Sequence, residues 1–252
     1  MKNIFFILFF VFTNIYSQKP LISSDYVEQK KWVDSVYDNL NIDEKIGQLF
    51  TVWVATKYGE DEIKHISKLI TEHHLGGLIF SLGNIEDQAR AINKFQNLSK
   101  VPLLISMDAE WGIGMRLDDA FSFPYNMTLG AIKNDSLVYN VGKRIGYHAK
   151  RLGVHINFAP VVDINTNPRN PIIGSRSFGE DKFNVSRKAV NYLKGMHHYG
   201  IMGAAKHFPG HGDTETDSHK TLPSISFSKE RIDDVELYPF KKLIENNLDG
   251  IM

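Results

Sequence analysis

Apolar and polar positions along this chain alternate in blocks that predict strands and helices in turn. Gly47-Gln48-Leu49-Phe50-Thr51-Val52-Trp53-Val54 reads as a first strand, and Ile63, Ile66, Leu69 and Ile70 then recur at helical spacing between Glu60 and His74. Gly76 to Phe80 predicts a second strand, followed by a helix carrying Ala89, Ile92 and Phe95. Val101 to Met107 predicts a third strand. After a long connection, Val138, Val141, Ile145 and Ala149 mark a helix from about Asp135 to Leu152, which Gly153 is placed to end. Val154 to Ala159 is a fourth strand, Val185, Ala189, Leu193 and Met196 share one helix face, and the run from Gly200 to Ala205 is a fifth strand. Ser228 is a candidate cap for a helix whose Ile232, Val235, Leu243 and Ile244 face inward, with Pro239 kinking or dividing it. Leu248 to Met252 reads as the start of a sixth strand.

Strand–helix alternation of this kind implies an α/β fold on a parallel sheet, either a closed barrel or an open doubly wound sheet. The long polar segments all follow strands, and no Gly-x-Gly-x-x-Gly turn opens the first helix; both features favour the barrel. About six β/α units are present, so the expectation is a TIM-like (β/α)8 barrel that is incomplete in this chain.

Composition changes this picture little. The 252 residues are 42% hydrophobic and 23% charged, and 29 basic residues balance 29 acidic ones. No basic stripe points to nucleic acid. The leader matters more. Met1-Lys2-Asn3 followed by the apolar run Ile4 to Phe12 has the layout of a secretory signal, with Ser17 ahead of a cleavage point, and the run is short for a membrane span. The expectation is a signal peptide over 1–17, a single domain over 18–252, export to the periplasm or beyond, and no membrane attachment after cleavage. Without cysteine, neither disulfides nor a cysteine lipid anchor is available.

Candidate chemistry gathers where strands end. The densest segment is Lys206-His207-Phe208-Pro209-Gly210-His211-Gly212-Asp213-Thr214-Glu215-Thr216-Asp217-Ser218-His219, a titratable loop straight after an apolar strand. The third strand ends in Asp108 through Arg116, and the fourth leads to Asp163 and then Gly174-Ser175-Arg176-Ser177-Phe178-Gly179. In a parallel barrel these all reach one rim. Carboxylates, arginines and a lysine suit the hydroxyls of a sugar, and Trp111 either plugs the core or offers a ring face to the ligand. Asp108 is alternatively a helix cap, Arg116 and Arg176 are alternatively surface pairs, and Asp163 reads as structural. His207, His211 and His219 with Asp217 or Asp213 form a rival zinc set, but their spacing is irregular.

These motifs, with Asn157-Phe158-Ala159-Pro160-Val161-Val162-Asp163 and Pro223, resemble glycoside hydrolase family 3, β-N-acetylglucosaminidase branch, in the same order from about Ile42 to Met252. The Asp217-Ser218-His219 element selects that branch over β-glucosidases and β-xylosidases. The resemblance implies a TIM-like catalytic barrel, no cofactor, no metal, and a carbohydrate substrate containing N-acetylglucosamine. It implies that Asp108, Arg116, Arg176, Lys206 and His207 bind the terminal sugar. His219 is then the general acid/base, oriented by Asp217. A histidine titrating near neutrality can supply the proton a leaving sugar needs, and it places no second negative charge beside an anionic acceptor, so phosphorolysis stands as an alternative to hydrolysis. The retaining mechanism also needs a nucleophilic aspartate. Asp249 precedes the sixth strand, the wrong end for a rim residue, so the nucleophile is expected beyond residue 252 and the isolated chain is expected to be inactive. The reading from another class is a noncatalytic sugar-binding protein.

Overall fold

The four-residue strands Thr51–Val54 (β1), Gly77–Phe80 (β2), Leu104–Met107 (β3) and Met202–Ala205 (β5) are almost wholly apolar or small, as suits the strands of a parallel sheet. With the two-residue strands Ile156–Asn157 (β4) and Gly250–Ile251 (β6), they form one parallel six-stranded sheet in the order β1-β2-β3-β4-β5-β6. A computed structural model describes residues 25–215 and 227–252. The signal-peptide reading over 1–17, together with Asp217, His219 and Pro223, lies outside the described residues.

The helices are α1 (Tyr26–Asp38), α2 (Ile42–Gly47), α3 (Glu60–His73), α4 (Ile85–Leu98), α5 (Asn126–Gly130), α6 (Asp135–Leu152), α7 (Lys182–His197), α8 (Lys229–Arg231) and α9 (Tyr238–Glu245). Sequential strands pair as neighbours through helical crossovers, so the chain follows six successive units of a TIM-like barrel. The sheet stays open among the described residues, with β1 and β6 at its edges.

Between sheet and helices the core is built from residues such as Val54, Leu78, Phe80, Phe95, Ile105, Ile145, Tyr192 and Leu193. Helices α6 and α7 pack at very close range. A Cβ on Gly142 would fall 2.2 Å from Tyr192 O, and one on Gly195 would fall 2.3 Å from Tyr139 O, so each helix needs glycine there. That approach carries the fully buried Tyr192 in toward the strand ends.

Three expectations change. The first strand starts at Thr51 rather than Gly47, after a short helix, Ile42–Gly47, that a reciprocal cap begins: Glu44 N–H donates to Asn41 Oδ1 at 3.0 Å, and Asn41 N–H to Glu44 Oε2 at 2.8 Å. The fourth strand is only Ile156–Asn157 rather than Val154 to Ala159, and its pairing with β5 resumes at Val161, opposite Lys206, where Val162 N–H donates to Lys206 O at 2.7 Å. Ile244 faces out, 57% exposed, while Leu243 is buried. Ser228 does cap its helix, accepting from Arg231 N–H at 3.3 Å, and a π-helical turn over Ile232–Glu236 separates α8 from α9, with Pro239 in the first turn of the latter.

Candidate active site

Parallel strands release their C-terminal residues at one rim, and there β3, β4 and β5 deliver Asp108, Asp163 and Lys206. The turn after β3 is pinned from two sides. Asn157 brackets Ala109, accepting its N–H at 2.9 Å and donating to its carbonyl at 3.1 Å. The Tyr192 hydroxyl donates toward Ala109 O and Glu110 O at 3.2 and 3.1 Å. Burial, and then the Glu110 charge, push the Tyr192 pKa well above the ordinary phenol value, so it stays a neutral donor. Asp108 and Glu110 therefore leave the strand in fixed directions.

Their carboxylates meet three cations. Lys206, almost wholly buried, donates to Asp108 Oδ1 at 2.7 Å and lies 2.9 Å from Glu110 Oε1. Arg116 Nη2 donates to Asp108 Oδ2 at 2.8 Å. Arg176 grips Glu110 with two bonds, Nη2 to Oε1 at 2.7 Å and Nε to Oε2 at 3.0 Å. Asn126 of α5 holds the backbone of Arg176 in place, donating to its carbonyl at 2.8 Å.

Asp163 extends the network. Its buried carboxylate accepts from His207 Nδ1 at 2.6 Å and from the His211 backbone N–H at 2.6 Å. Arg176 Nη2 stands 3.2 Å from His207 Nε2. A guanidinium can only donate, so Nε2 accepts and the proton sits on Nδ1, facing Asp163. His207 is thus held as one neutral tautomer. His211 Nδ1 pairs with the Thr214 hydroxyl. The peptide bonds Ala159–Pro160, Lys206–His207 and Phe208–Pro209 are cis.

All five substrate-binding candidates, Asp108, Arg116, Arg176, Lys206 and His207, line one cleft of about 520 Å³, joined by Glu110, Trp111, Met115 and His211. Asp108 is no helix cap, and Arg116 and Arg176 are no surface pairs. Sequence reasoning left out two contributors. Glu110 is fully enclosed and ties Arg176 to Lys206; its place two residues past Asp108, in the same strand-end motif, is the signal that marks it. Asp163 is structural in the sense expected, but what it supports is His207. Among the described residues no group of three His, Cys, Asp or Glu side chains is placed to hold a metal.

Burial alone would raise the Asp108 and Glu110 carboxyls. The pull of Lys206 and Arg116 on one, and of Arg176 and Lys206 on the other, overcomes it, and both titrate below their ordinary values of 3.8 and 4.5. A lowered folded pKa means the folded state binds fewer protons than the unfolded one as the solution acidifies. The stabilisation is therefore complete above the ordinary carboxylate range and is lost as pH falls through the folded values. Urea midpoints measured from pH 6 down to pH 3 are expected to hold until about pH 4.5 and then fall. A midpoint that rises on acidification would contradict this network.

The sequence matches the family model described as Glycosyl hydrolase family 3 N terminal domain over residues 41–252. It is 36% identical over 200 residues to beta-hexosaminidase A of Pseudoalteromonas piscicida, covering 74% of this chain and 33% of that protein. Over 194 residues it is 34% identical to a beta-hexosaminidase of Haemophilus influenzae, covering 73% of this chain and 55% of that protein. The chain thus spans between a third and just over half the length of these relatives. Among solved structures it resembles a family 3 beta-N-acetylglucosaminidase from Paenibacillus sp. str. FPU-7, with a TM-score of 0.78 and 38% identity over 84% of this chain and 41% of that one. It also resembles the beta-glucoside phosphorylase BglX, with a TM-score of 0.84 and 27% identity over 94% of this chain and 42% of that one.

Proposed function

Because this chain belongs to glycosyl hydrolase family 3, we propose that it supplies the sugar cradle and the acid/base residues of a retaining β-N-acetylhexosaminidase. The reaction is release of terminal β-linked N-acetylglucosamine from cell-wall or chitin-type saccharides. One observation carries the reading: three cations and two carboxylates from separate strand ends line one cleft, with Asp163 behind His207, in a chain similar to proteins named beta-hexosaminidases. Such a floor is fixed before substrate arrives, so hydroxyls and an acetamido group meet oriented partners.

His219 is proposed to give its proton to the leaving oxygen, with Asp217 fixing its tautomer and supporting the imidazolium. A retaining reaction needs a carboxylate nucleophile as well. At this rim Asp108, Glu110 and Asp163 are committed to cations or to N–H donors. Asp249 sits at the opposite end of the strands, accepting from Gly203 N–H at 2.8 Å and pairing with His197 at 2.7 Å. The nucleophile is therefore proposed to lie outside this chain, which by itself would not turn over substrate. The leader over residues 1–17 supports export, and so a role in trimming saccharides outside the cytoplasm.

The full-length protein is expected to cleave an aryl β-N-acetylglucosaminide with a kcat/KM at least about a hundredfold above that for the matching glucoside, the discrimination open to a site that hydrogen-bonds the distinguishing group. Comparable or better glucoside cleavage would overturn the N-acetylglucosamine assignment. Phosphorolysis is favoured by one observation, the likeness to a structure described as a beta-glucoside phosphorylase. A sugar 1-phosphate formed when phosphate is present would select it over hydrolysis.

A further inference from the structure

Two loops of the rim, 163–173 after β4 and 206–215 after β5, run against each other. A Cβ on Gly212 would run into the carbonyl oxygen of Ile164, so only glycine lets the backbones come this close. Asp163 accepts from His211 N–H at the start of the contact, and further along Thr166 Oγ1 donates to Asp213 Oδ1 at 2.9 Å and Asn167 Nδ2 to Asp213 O at 3.2 Å. Arg169 and Glu215 also pair, at 2.5 Å, but both are exposed and such pairs contribute little.

Asn170 is the buried residue that binds the two loops together, and it has no place in the cleft lining. Its Nδ2 donates to His211 O at 2.7 Å and to Thr214 O at 2.9 Å, which uses both hydrogens. Its Oδ1 accepts from Ile172 N–H at 2.9 Å and from Ile173 N–H at 2.7 Å. Carbonyls face one end of the amide and N–H groups the other, so its orientation is fixed. An aspartate of the same shape could accept the two N–H bonds but could not serve both carbonyls. The accepting end leads to Arg176, whose N–H donates to Ile173 O at 2.7 Å. The donating end closes the turn from His211 to Thr214, within which Thr214 Oγ1 donates to His211 O at 3.1 Å.

From Thr214 the chain continues to Asp217 and His219, three and five positions on. We propose that Asn170 is a positioning residue for proton transfer: it fixes the turn from which the Asp217-Ser218-His219 segment departs, and ties that turn to the arm that carries Arg176. The inference rests on the acid/base reading of His219 above. Its consequence is that loosening the turn weakens protonation of the leaving group more than it weakens the grip on the sugar.

The test uses the full-length protein and two aryl β-N-acetylglucosaminides, phenyl and 3,4-dinitrophenyl, whose leaving groups differ in their need for a proton. Asn170→Asp keeps the accepting end, which holds the Arg176 arm, and loses the donating end, which holds the turn. It is expected to lower kcat/KM for the phenyl glycoside about thirtyfold, within the roughly hundredfold that a small misplacement can cost, and for the dinitrophenyl glycoside by no more than about threefold. The dinitrophenyl rate also reports whether the variant is folded. Asn170→Ser, uncharged and too short to reach both carbonyls, is expected to show the same excess loss on the phenyl glycoside, and it decides the matter if the aspartate variant does not fold. Equal losses on the two substrates, the mark of a merely structural role, or no loss on the phenyl glycoside, would overturn the positioning role. His219→Ala, measured alongside, is expected to show a larger difference of the same sign. No difference there removes the acid reading and the positioning role with it; a difference there without one for Asn170 removes the positioning role alone. If the wild type prefers glucosides, the phenyl and dinitrophenyl glucosides decide the role by the same comparison.

Discussion

Replacing His219 by Ala in the full-length protein is expected to lower kcat on a β-N-acetylglucosaminide by about 10²–10⁴-fold, the usual worth of a positioned general acid. The binding of free N-acetylglucosamine is expected to change little, because the groups proposed to hold that sugar are fixed by other contacts. Lys206 is locked between Asp108 and Glu110, Arg176 is clamped on Glu110, and His207 is oriented by Asp163. None of these bonds involves residue 219. The loss should shrink for substrates whose leaving group departs readily without a proton, such as a nitrophenolate. A uniform loss across good and poor leaving groups, or an unchanged kcat, would remove His219 from the acid role. A noncatalytic sugar-binding protein would show no turnover to lose.

The second large effect concerns Glu110. Glu110→Gln is expected to destabilise the fold by about 3 kcal/mol, the low end of the range for breaking a buried ion pair from one side. The carboxylate is fully enclosed and accepts from Arg176 at 2.7 and 3.0 Å, with Lys206 at 2.9 Å. Removing its charge leaves Arg176 without its bonded partner, near only the more distant charges of Asp163 and Asp108, and leaves Lys206 paired with Asp108, which Arg116 already shares. Glutamine keeps an acceptor oxygen, which is why the low end applies. Substrate affinity should fall in parallel, since the Arg176 fork loses the partner that aims it. Urea unfolding at neutral pH reads the stability change directly; a midpoint equal to wild type would show that the Glu110 ion pairs add no net stability.

What the sequence discloses depends on whether the deciding contact is local. Helix α6 matches its expected limits, Asp135 and Leu152, because both ends are set by neighbours: Asn134 Oδ1 accepts from Ser136 N–H at 3.0 Å, and Gly153 takes a left-handed φ of 81°. The rim motifs were legible for a related reason, since a parallel sheet sends every strand's end to the same side. Boundaries failed where a distant partner decides. The fourth strand stops after Asn157 and its pairing with β5 resumes only at Val161 opposite Lys206, a register the local apolar run does not disclose. The first strand starts at Thr51 rather than Gly47 because α2 runs to Gly47 and Gln48 to Phe50 turn out of it, with Leu49 and Phe50 exposed. Glu110 is the instructive omission. Its place two residues past Asp108 marks it as a rim residue, but that Arg176, 66 positions on, closes on it is visible only once the strand ends are brought together. Asp217 and His219 lie outside the described residues, and the roles proposed for them rest on the resemblance of their motif alone.

The central claim is that one sugar is seated on the Asp108–Lys206–Glu110–Arg176 floor with its glycosidic oxygen turned to His219. A crystal structure of the full-length protein bound to a non-hydrolysable β-N-acetylglucosaminide tests it most directly. Sugar hydroxyls are expected within about 3 Å of Asp108, Lys206 and Arg176, and the His219 imidazole within hydrogen-bond reach of the glycosidic oxygen. A ligand seated away from this floor, or a different side chain at that oxygen, would contradict it.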